Sequence, residues 1–350
     1  MLPDFIAAPL WVGIAVFVVS SIVVWFSGTR LTHYADAIAE RTGLGHALAG
    51  LIILGIITSL PEAAVTVVAS AEGNLPLAVN NSLGGTAFGL AVLAAADAAI
   101  GRDALTSVVP NPVVMLQGSM SILLLALLAA GIAVGDVAWF GVGGWCWSVL
   151  IVYLFSVWMT HRSQGRFAWR PDESIQPEED HSPPEGESQQ TAHTPLSGIV
   201  ARTVLASVAI LVAGYLLSET GDAIAVKTGL GASFVGVFLV AISTSLPQVS
   251  SVLAAVRLHR YEMAVSDIFG NNLFSPPLIF LADAVHRGEP ALNEVGRFAL
   301  VAALLGITVT TLYIAGLVER RDRTILRMGY DSLAVLATYF GGMILLYRMR

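Results

Sequence analysis

Two short stretches of this 350-residue chain place polar groups inside long apolar runs. The first reads Thr-Ser-Leu-Pro-Glu at residues 58–62, and the second reads Thr-Ser-Leu-Pro-Gln at residues 244–248. Proline removes a backbone donor and disturbs the preceding turn, so each stretch is expected to free carbonyl oxygens. Carbonyl, hydroxyl and carboxylate oxygens are hard ligands suited to Na⁺, Ca²⁺ or Mg²⁺. The chemistry that these residues predict is therefore cation binding.

The two stretches belong to an internal duplication. Subtracting 58 from 244 gives an offset of 186 residues, which also relates Gly-Leu-Gly at 43–45 to Gly-Leu-Gly at 229–231. The same offset relates Asp97 to Asp283. Matches at one constant offset indicate that one half of the chain repeats the other.

The composition is that of an integral membrane protein. The chain is 55% hydrophobic and 12% charged, whereas a soluble domain carries about 25% charged residues. Its apolar runs are long enough for helices that cross about 30 Å of hydrocarbon. The first run, from about residue 9 to 27, lacks a basic leading region and a cleavage site, so we expect a retained helix. The single cysteine, Cys146, predicts neither a disulfide framework nor a thiolate metal site within the chain.

We therefore expect an all-α integral membrane fold of ten transmembrane helices. The segment 161–197 is rich in Pro, Glu, Ser and Gln and is expected to be a disordered linker, because it cannot bury enough apolar surface. It separates a first five-helix repeat, 1–160, from a second, 198–350. The expected spans are 9–28, 44–70, 76–100, 112–134, 137–160, 198–219, 230–256, 262–285, 296–318 and 329–347.

The basic residues predict how the chain is oriented. If the N-terminus is on the external side, the external segments hold only five of the 18 basic residues, and the cytoplasmic segments hold the other thirteen. These five are Lys227, Arg287, Arg297, Arg348 and Arg350. The positive-inside rule then favours a bacterial-type plasma (inner) membrane with both termini outside and the 161–197 linker in the cytoplasm. Five helices per repeat make the repeats inverted, which is the plan of many secondary transporters with a midplane site.

The segment after the second motif adds polar groups to an apolar span. Asp267, Asn271 and Ser275 follow one another at steps of four, so they lie near one face of a helix. Two prolines at 276 and 277 come next and should break this helix just beyond Ser275. Small residues allow close helix packing, but that does not explain the acid and the amide.

With these motifs, both halves of the chain resemble the sodium/calcium exchanger superfamily of cation antiporters. Its two repeats carry a G-T-S-[LV]-P-[ED] motif followed by a G-N-x-x-G-S-N helix, in inverted halves of five helices. The resemblance covers both halves and leaves out the linker. It implies an antiporter with alternating access, in which the motif and the following helix bind the cation. Carried over position by position, it assigns cation binding to Thr58, Ser59, Glu62, Thr244, Ser245, Gln248, Asn271 and Ser275.

The chain departs from the family pattern in its charges. Glu62 is the one acid kept at the key positions, where Gln248, Gly89 and Ser275 stand at the others. Ca²⁺ usually binds through several carboxylates, so a single charge is better matched to a monovalent cation or a proton. The transported cation is therefore expected to be Na⁺, Ca²⁺ or H⁺, and no cofactor is expected.

Three further acids have two possible roles. Asp267 would restore charge to the site from its own helix face, and it is included among the expected cation-binding residues. Asp97 and Asp283 would line the pathway, or would lie at the membrane interface near Arg102 and Arg287; the second reading is favoured for this pair.

Other functions remain as alternatives to an antiporter. An intramembrane enzyme is disfavoured, because Glu62 has no partner acid in the opposite motif and no histidine lies centrally in a span. A transport-dead or regulatory cation-binding member of the family is suggested by the missing carboxylates. The expected partners are inorganic cations and the lipid bilayer, with no nucleic acid. The oligomeric state stays open.

Overall fold

The computed structural model describes residues 5–42, 58–100, 112–163, 196–257, 261–319, 324–325 and 328–350. The chain is mostly helical. The expected linker, apart from residues 161–163 and 196–197, lies outside the described residues, as do residues 44–57 of the second expected span.

The first half contains five described helices and a short hairpin. The hairpin strands pair through Ala138↔Gly143 and Trp139↔Val142 around a two-residue turn. Both turn residues have positive φ, 54° at Phe140 and 82° at Gly141, as a type I′ turn requires. The elements are α1 (Leu10–Thr42), α2 (Leu60–Ala71), α3 (Leu75–Ile100), α4 (Pro112–Val134), β1 (Ala138–Trp139), β2 (Val142–Gly143) and α5 (Gly144–Ser163).

The second half has the same order with more interruptions. A π-helical stretch, Gly236–Val240, joins two short helices before the second motif. The other elements are α6 (Leu196–Thr228), α7 (Ala232–Val235), α8 (Ala241–Thr244), α9 (Leu246–Arg257), α10 (Tyr261–Phe274), α11 (Pro277–Val285), α12 (Ala291–Glu294), α13 (Gly296–Glu319), β3 (Thr324–Ile325), β4 (Met328–Gly329) and α14 (Tyr330–Met349).

Element bounds in the two halves recur at the offset found in the sequence. Adding 186 to the bounds of α1, α2 and α5 gives those of α6, α9 and α14, and adding it to β1 and β2 gives β3 and β4. The largest difference is at α3, which is continuous, whereas its counterpart is divided into α10 and α11. The predicted break beyond Ser275 is confirmed, since α10 ends at Phe274 and α11 begins at Pro277.

Membrane-crossing helices are found, although not all ten are established. Seven described helices are long and apolar enough to cross a membrane, or eight if the bent pair Ala232–Thr244 and Leu246–Leu253 forms one span. Two shorter apolar helices, Leu60–Ala71 and Gly144–Thr160, fall below that length. The expected span 137–160 begins late because β1 and β2 occupy its first residues. These two small hairpins are the departure from an all-α fold.

The helices differ sharply in how deeply they are buried. Of the membrane-spanning window in α3, 89% is buried inside the protein, compared with 22% for α1 and α6. Large apolar side chains such as Trp11 and Leu205 are 71% exposed on these two outer helices, which suits a surface facing lipid. α1 packs along its counterpart α6, and α4 packs along its counterpart α13. The polar motifs therefore lie inside the bundle, around α3.

Asp97 and Asp283 have a structural role that the sequence did not indicate. Asp97 Oδ2 accepts the Gly329 N–H at 2.8 Å, and Asp283 Oδ2 accepts the Gly143 N–H at 2.6 Å. They are 1% and 3% exposed. Each carboxylate thus anchors the hairpin of the opposite half, a role that the expected position at the membrane interface did not include. A buried backbone N–H needs such an acceptor.

Close contacts at two glycines are reciprocal between the halves. A Cβ at Gly28 of α1 would lie 2.3 Å from Pro247 Cγ, and one at Gly214 of α6 would lie 2.4 Å from Ala64 Cβ and 3.4 Å from Pro61 O. The offset of 186 relates Gly28 to Gly214 and Pro61 to Pro247. Reciprocal contacts of this kind are what two copies related by a two-fold axis make.

We predict that Gly28→Ala destabilises the protein by about 1–3 kcal/mol, because the added methyl group overpacks the contact with Pro247. The matched control is Gly13→Ala on the same helix, where nothing lies within 4 Å of the added Cβ. Thermal unfolding in detergent, followed by size-exclusion fluorescence, measures both. Equal melting temperatures for the two variants would contradict the close approach of α1 to the second motif.

Candidate cation site

Each Thr-Ser-Leu-Pro motif interrupts its helix at the serine. Ser59 has φ −91° and ψ 2°, and Ser245 has φ −87° and ψ 3°, so both lie in the sparsely populated bridge region. A new helix begins at the next residue, with the proline in its first turn, where a missing N–H costs little. The serine carbonyls accept the N–H groups of Ala63 at 2.9 Å and Val249 at 3.2 Å. The two motifs therefore share one backbone geometry.

Glu62 and Gln248 occupy equivalent positions in the two motifs and contact each other. Gln248 Nε2 donates to Glu62 Oε1 at 3.1 Å, and the Ser245 hydroxyl lies 3.5 Å from the same oxygen. Glu62 is fully buried, and Gln248 is 1% exposed. Within the described part of the chain, Glu62 Oε2 and Gln248 Oε1 have no hydrogen-bond partner. Two buried acceptor oxygens are thus left for a ligand.

A second set of polar groups connects the first motif to α10. The Ser59 hydroxyl donates to Asn271 Oδ1, and Asn271 Nδ2 lies 3.4 Å from the Ser275 hydroxyl. That hydroxyl also donates to the Asn271 carbonyl at 3.1 Å. Ser59, Asn271 and Ser275 are all fully buried. The motif of one half is therefore joined to the polar helix of the other.

The motif threonines, Thr58 and Thr244, are buried as well. Thr244 Oγ1 is 3.1 Å from Asn81 Oδ1 and 3.1 Å from the Val240 carbonyl, so its hydroxyl is engaged by the helix and by α3. Thr58 is fully buried at the equivalent position. A cation would compete with these contacts for the threonine oxygens.

Asp267 lies beside the second motif helix. Its Oδ2 accepts the Ser251 hydroxyl, and that hydroxyl also lies 3.0 Å from the Gln248 carbonyl. Asp267 is 8% exposed. It is therefore a second acid near the site, in contact with the helix that carries Gln248.

The structure adds Asn81, Asn272 and Ser251 to the polar centre. Asn81 approaches Thr244, and Asn272 Nδ2 donates to the Thr86 carbonyl at 3.2 Å. The offset of 186 makes Asn81 the equivalent of Asp267 and Thr86 the equivalent of Asn272. Matching the halves residue by residue would have predicted Asn81 from Asp267. Nothing in the sequence marks Ser251, which is recognised by its contact alone.

The arrangement offers several oxygen ligands. Among the described residues, no basic side chain takes part in the hydrogen bonds given above for this site. Burying an unpaired carboxylate is costly, and so is burying an amide oxygen with no donor. A small cation between Glu62 Oε2 and Gln248 Oε1 would satisfy both groups. The chemistry available to this donor set is the binding of a hard cation or a proton.

Comparison with known proteins also indicates a cation-binding protein. The family model described as "Sodium/calcium exchanger protein" matches residues 12–163 and 199–348, which is well over half of the chain. The chain belongs to the sodium/calcium exchanger family. A curated relative, the putative antiporter CaxA of Alkalimonas amylolytica, is 25% identical over 317 residues, covering 88% of this chain and 93% of CaxA.

Two solved structures share the fold of this exchanger-family protein. The sodium-calcium exchanger NCX_Mj matches with a TM-score of 0.62 at 16% identity, covering 96% of this chain and 99% of NCX_Mj. The H⁺/Ca²⁺ exchanger CAX matches with a TM-score of 0.70 at 11% identity, covering 96% and 85%. Membership of the sodium/calcium exchanger family makes this protein a membrane antiporter, and the family is a class of transporters and not of enzymes, with inorganic cations as substrates.

We predict that Asp267→Asn weakens the apparent affinity for the transported cation about tenfold, a loss of about 1.4 kcal/mol, because it removes a charge near Glu62. Ser251→Ala is the matched control, since it removes the hydrogen bond to Asp267 and keeps the charge. Concentration dependence of cation uptake in proteoliposomes measures both. If Ser251→Ala weakens affinity as much as Asp267→Asn, Asp267 acts through its hydrogen bond and not through its charge.

Proposed function

We propose that this protein is a secondary active cation antiporter that works by alternating access around a site centred on Glu62. The proposed cation-binding residues are Thr58, Ser59, Glu62, Thr244, Ser245, Gln248, Asp267, Asn271 and Ser275. The observation that carries the proposal is the contact between Glu62 and Gln248. Equivalent positions of the two halves meet there, fully buried, and each leaves one oxygen without a partner.

The contact between equivalent residues supports a site on the axis that relates the halves. A residue that contacts its own counterpart lies near a two-fold axis, and the pair Thr86 and Asn272 does the same. In transporters built from inverted repeats, the substrate site lies at the repeat interface, and access alternates around it. A centre held equally by both halves can be exposed to either side as one half moves against the other.

The proposed fold has ten membrane spans, five in each half of the chain. The seven long helices, the bent pair and the two shorter apolar helices together make ten spans, five on each side of residues 161–197. Domains 1–160 and 198–350 are then the two inverted repeats, with the linker in the cytoplasm and both termini outside a plasma (inner) membrane. The recurrence of element bounds at one offset favours this division.

The charge of the site favours a monovalent cation or a proton as one of the exchanged ions. Glu62 carries the one carboxylate in direct contact with the opposite motif, and Gln248 contributes a neutral amide oxygen. A cation of charge +1 neutralises this pair, whereas Ca²⁺ would leave excess positive charge unless Asp267 took part. Relatives of the fold include both a sodium-calcium exchanger and an H⁺/Ca²⁺ exchanger.

A cation-binding member that does not transport is the second candidate function. The neutral side chains of Gln248 and Ser275 favour this candidate. The family pattern has an acid at the position of Gln248 and a polar or acidic residue at the position of Ser275. Flux in proteoliposomes separates the two functions. An antiporter moves labelled cation against an opposing gradient of Na⁺, K⁺, Ca²⁺ or H⁺, whereas a binding protein shows saturable binding and no flux.

We predict that Glu62→Gln abolishes transport while the protein still inserts and folds. The substitution removes the main counter-charge of a buried cation and keeps the size of the side chain. Removing one partner of a buried ion pair costs about 3–5 kcal/mol, so affinity should fall more than about 100-fold. Proteoliposome uptake, with size-exclusion profiles as the folding control, measures this. Transport at the wild-type rate would show that the motif is only a structural kink.

We predict that Gln248→Glu shifts the preference of the site towards Ca²⁺. The second carboxylate would face Glu62, and without a divalent ion one of the pair would take up a proton. Calcium binding to the purified protein, measured by titration calorimetry, should tighten or appear in this variant. It should be absent when Gln248→Glu is combined with Glu62→Gln. Unchanged calcium binding in Gln248→Glu would place the ion away from the two motifs.

The proposed topology predicts which side each region can be labelled from. In a Cys146→Ser background, a cysteine introduced within residues 161–197 should react only with reagent on the cytoplasmic side. A cysteine introduced next to Arg350 should react only from the outside. Labelling of both positions from the same side would contradict an odd number of spans in the second half, and with it the inverted repeats.

A further inference from the structure

Three ligand-type side chains converge away from the proposed cation site. Asp136 comes from the loop after α4, Cys146 from the first turn of α5 and Asp283 from α11. One ligand atom from each lies within 4.8 Å of the others. Their exposed fractions are 8%, 0% and 3%. The cluster thus joins the two halves of the protein at a buried position.

Asp136 is held in place with one oxygen left over. Its Oδ1 accepts the N–H groups of Val137 at 2.9 Å and Trp145 at 3.1 Å. Its backbone is fixed by Asn293, which accepts from the Asp136 N–H at 2.7 Å and donates to the Asp136 carbonyl at 2.9 Å. Its Oδ2 is buried and has no hydrogen-bond partner among the described residues. A buried, unpartnered carboxylate oxygen needs an explanation, and a position for a bound ion is one.

The other two groups are equally fixed. Asp283 accepts the Gly143 N–H on Oδ2 at 2.6 Å and the Ala291 N–H on Oδ1 at 2.8 Å. An ionised carboxylate has about four lone-pair positions, so each oxygen keeps one for another partner. The Cys146 thiol lies within 4.8 Å of a carboxylate oxygen of Asp283. A metal ion would replace that thiol proton.

The charges at this position repel one another. The Asp136 and Asp283 carboxylates place oxygens within 4.8 Å of each other, and a like charge at that distance disfavours the ionised form of each group. A cation between the two carboxylates would remove the repulsion. The donor set of one thiolate and two carboxylates suits a borderline metal ion such as Zn²⁺, which binds three protein ligands and a water in open sites.

We propose that Asp136, Cys146 and Asp283 form a second metal site, for a divalent transition-metal ion such as Zn²⁺, that clamps the α4–α5 loop of one half to α11 of the other. The site is separate from Glu62 and does not depend on the ion that is transported. On binding, the Cys146 thiol releases its proton to solvent water, and the sulfur becomes a metal ligand.

The thiol is the part of this donor set that is found in only one half of the duplication. The offset of 186 relates Asp283 to Asp97 and Cys146 to Ser332, whose buried hydroxyl replaces the thiol. The equivalent of Asp136 is Asp322, which lies outside the described residues. The sequence alone pointed away from a thiolate site, because the ligands are separated by 10 and 137 residues and only one of them is a cysteine.

Cobalt(II) is the probe for this site, because cobalt bound to a thiolate absorbs in the near ultraviolet. Cys146 is the single cysteine of the chain, so any thiolate–cobalt band reports this site alone. The purified, reduced full-length protein should give a band that saturates at one equivalent of cobalt and is removed by Zn²⁺. Cys146→Ser should lose the band, and Asp136→Asn should need at least about tenfold more cobalt to reach it.

Glu62→Gln is the matched control, because it removes the central carboxylate and leaves all three proposed ligands. Its thiolate–cobalt band should equal that of the unmodified protein. The proposal is overturned if the unmodified protein shows no band at saturating cobalt, or if Asp136→Asn shows the band at the same cobalt concentration. It is also overturned if Zn²⁺ fails to remove the band.

Discussion

The hydrogen bond from Gln248 to Glu62 is the contact on which the centre of this structure depends. It joins equivalent positions of the two halves, 3.1 Å apart, where both side chains are buried inside the bundle. A carboxylate at such a depth is stable only with partners, and here one partner comes from the opposite half. Each half therefore completes the polar centre of the other.

Several features of the fold follow from bringing these two groups together. New helices begin at Leu60 and Leu246, and their first turns bring Glu62 and Gln248 into contact. α1 and α6 must then pass close to the broken ends, and glycines at 28 and 214 leave room for the two motifs. Asp97 and Asp283 hold the hairpins of the opposite halves in a reciprocal way. Equivalent residues of the two halves therefore make equivalent contacts at the motifs, at the glycines and at the hairpins.

Much of this could be predicted from the sequence, because the offset of 186 residues is visible in it and composition identifies membrane helices. The break after Ser275 follows from two prolines. The hairpins could not be predicted, since two-residue strands leave no periodic pattern. The anchoring roles of Asp97 and Asp283 could not be predicted either, because their partners are backbone N–H groups in the other half. The contacts of Ser59 with Asn271 and of Ser251 with Asp267 depend on packing between helices, which no local pattern specifies.

The most direct test of the central claim is to locate the bound ion. Crystals of the protein soaked with Tl⁺, a heavy monovalent cation, would show its position by anomalous scattering. If Glu62 is the centre of the site, a peak lies within coordination distance of Glu62 Oε2 and Gln248 Oε1 and is lost in crystals of Glu62→Gln. A peak at any other buried position, with none beside Glu62, would contradict this claim.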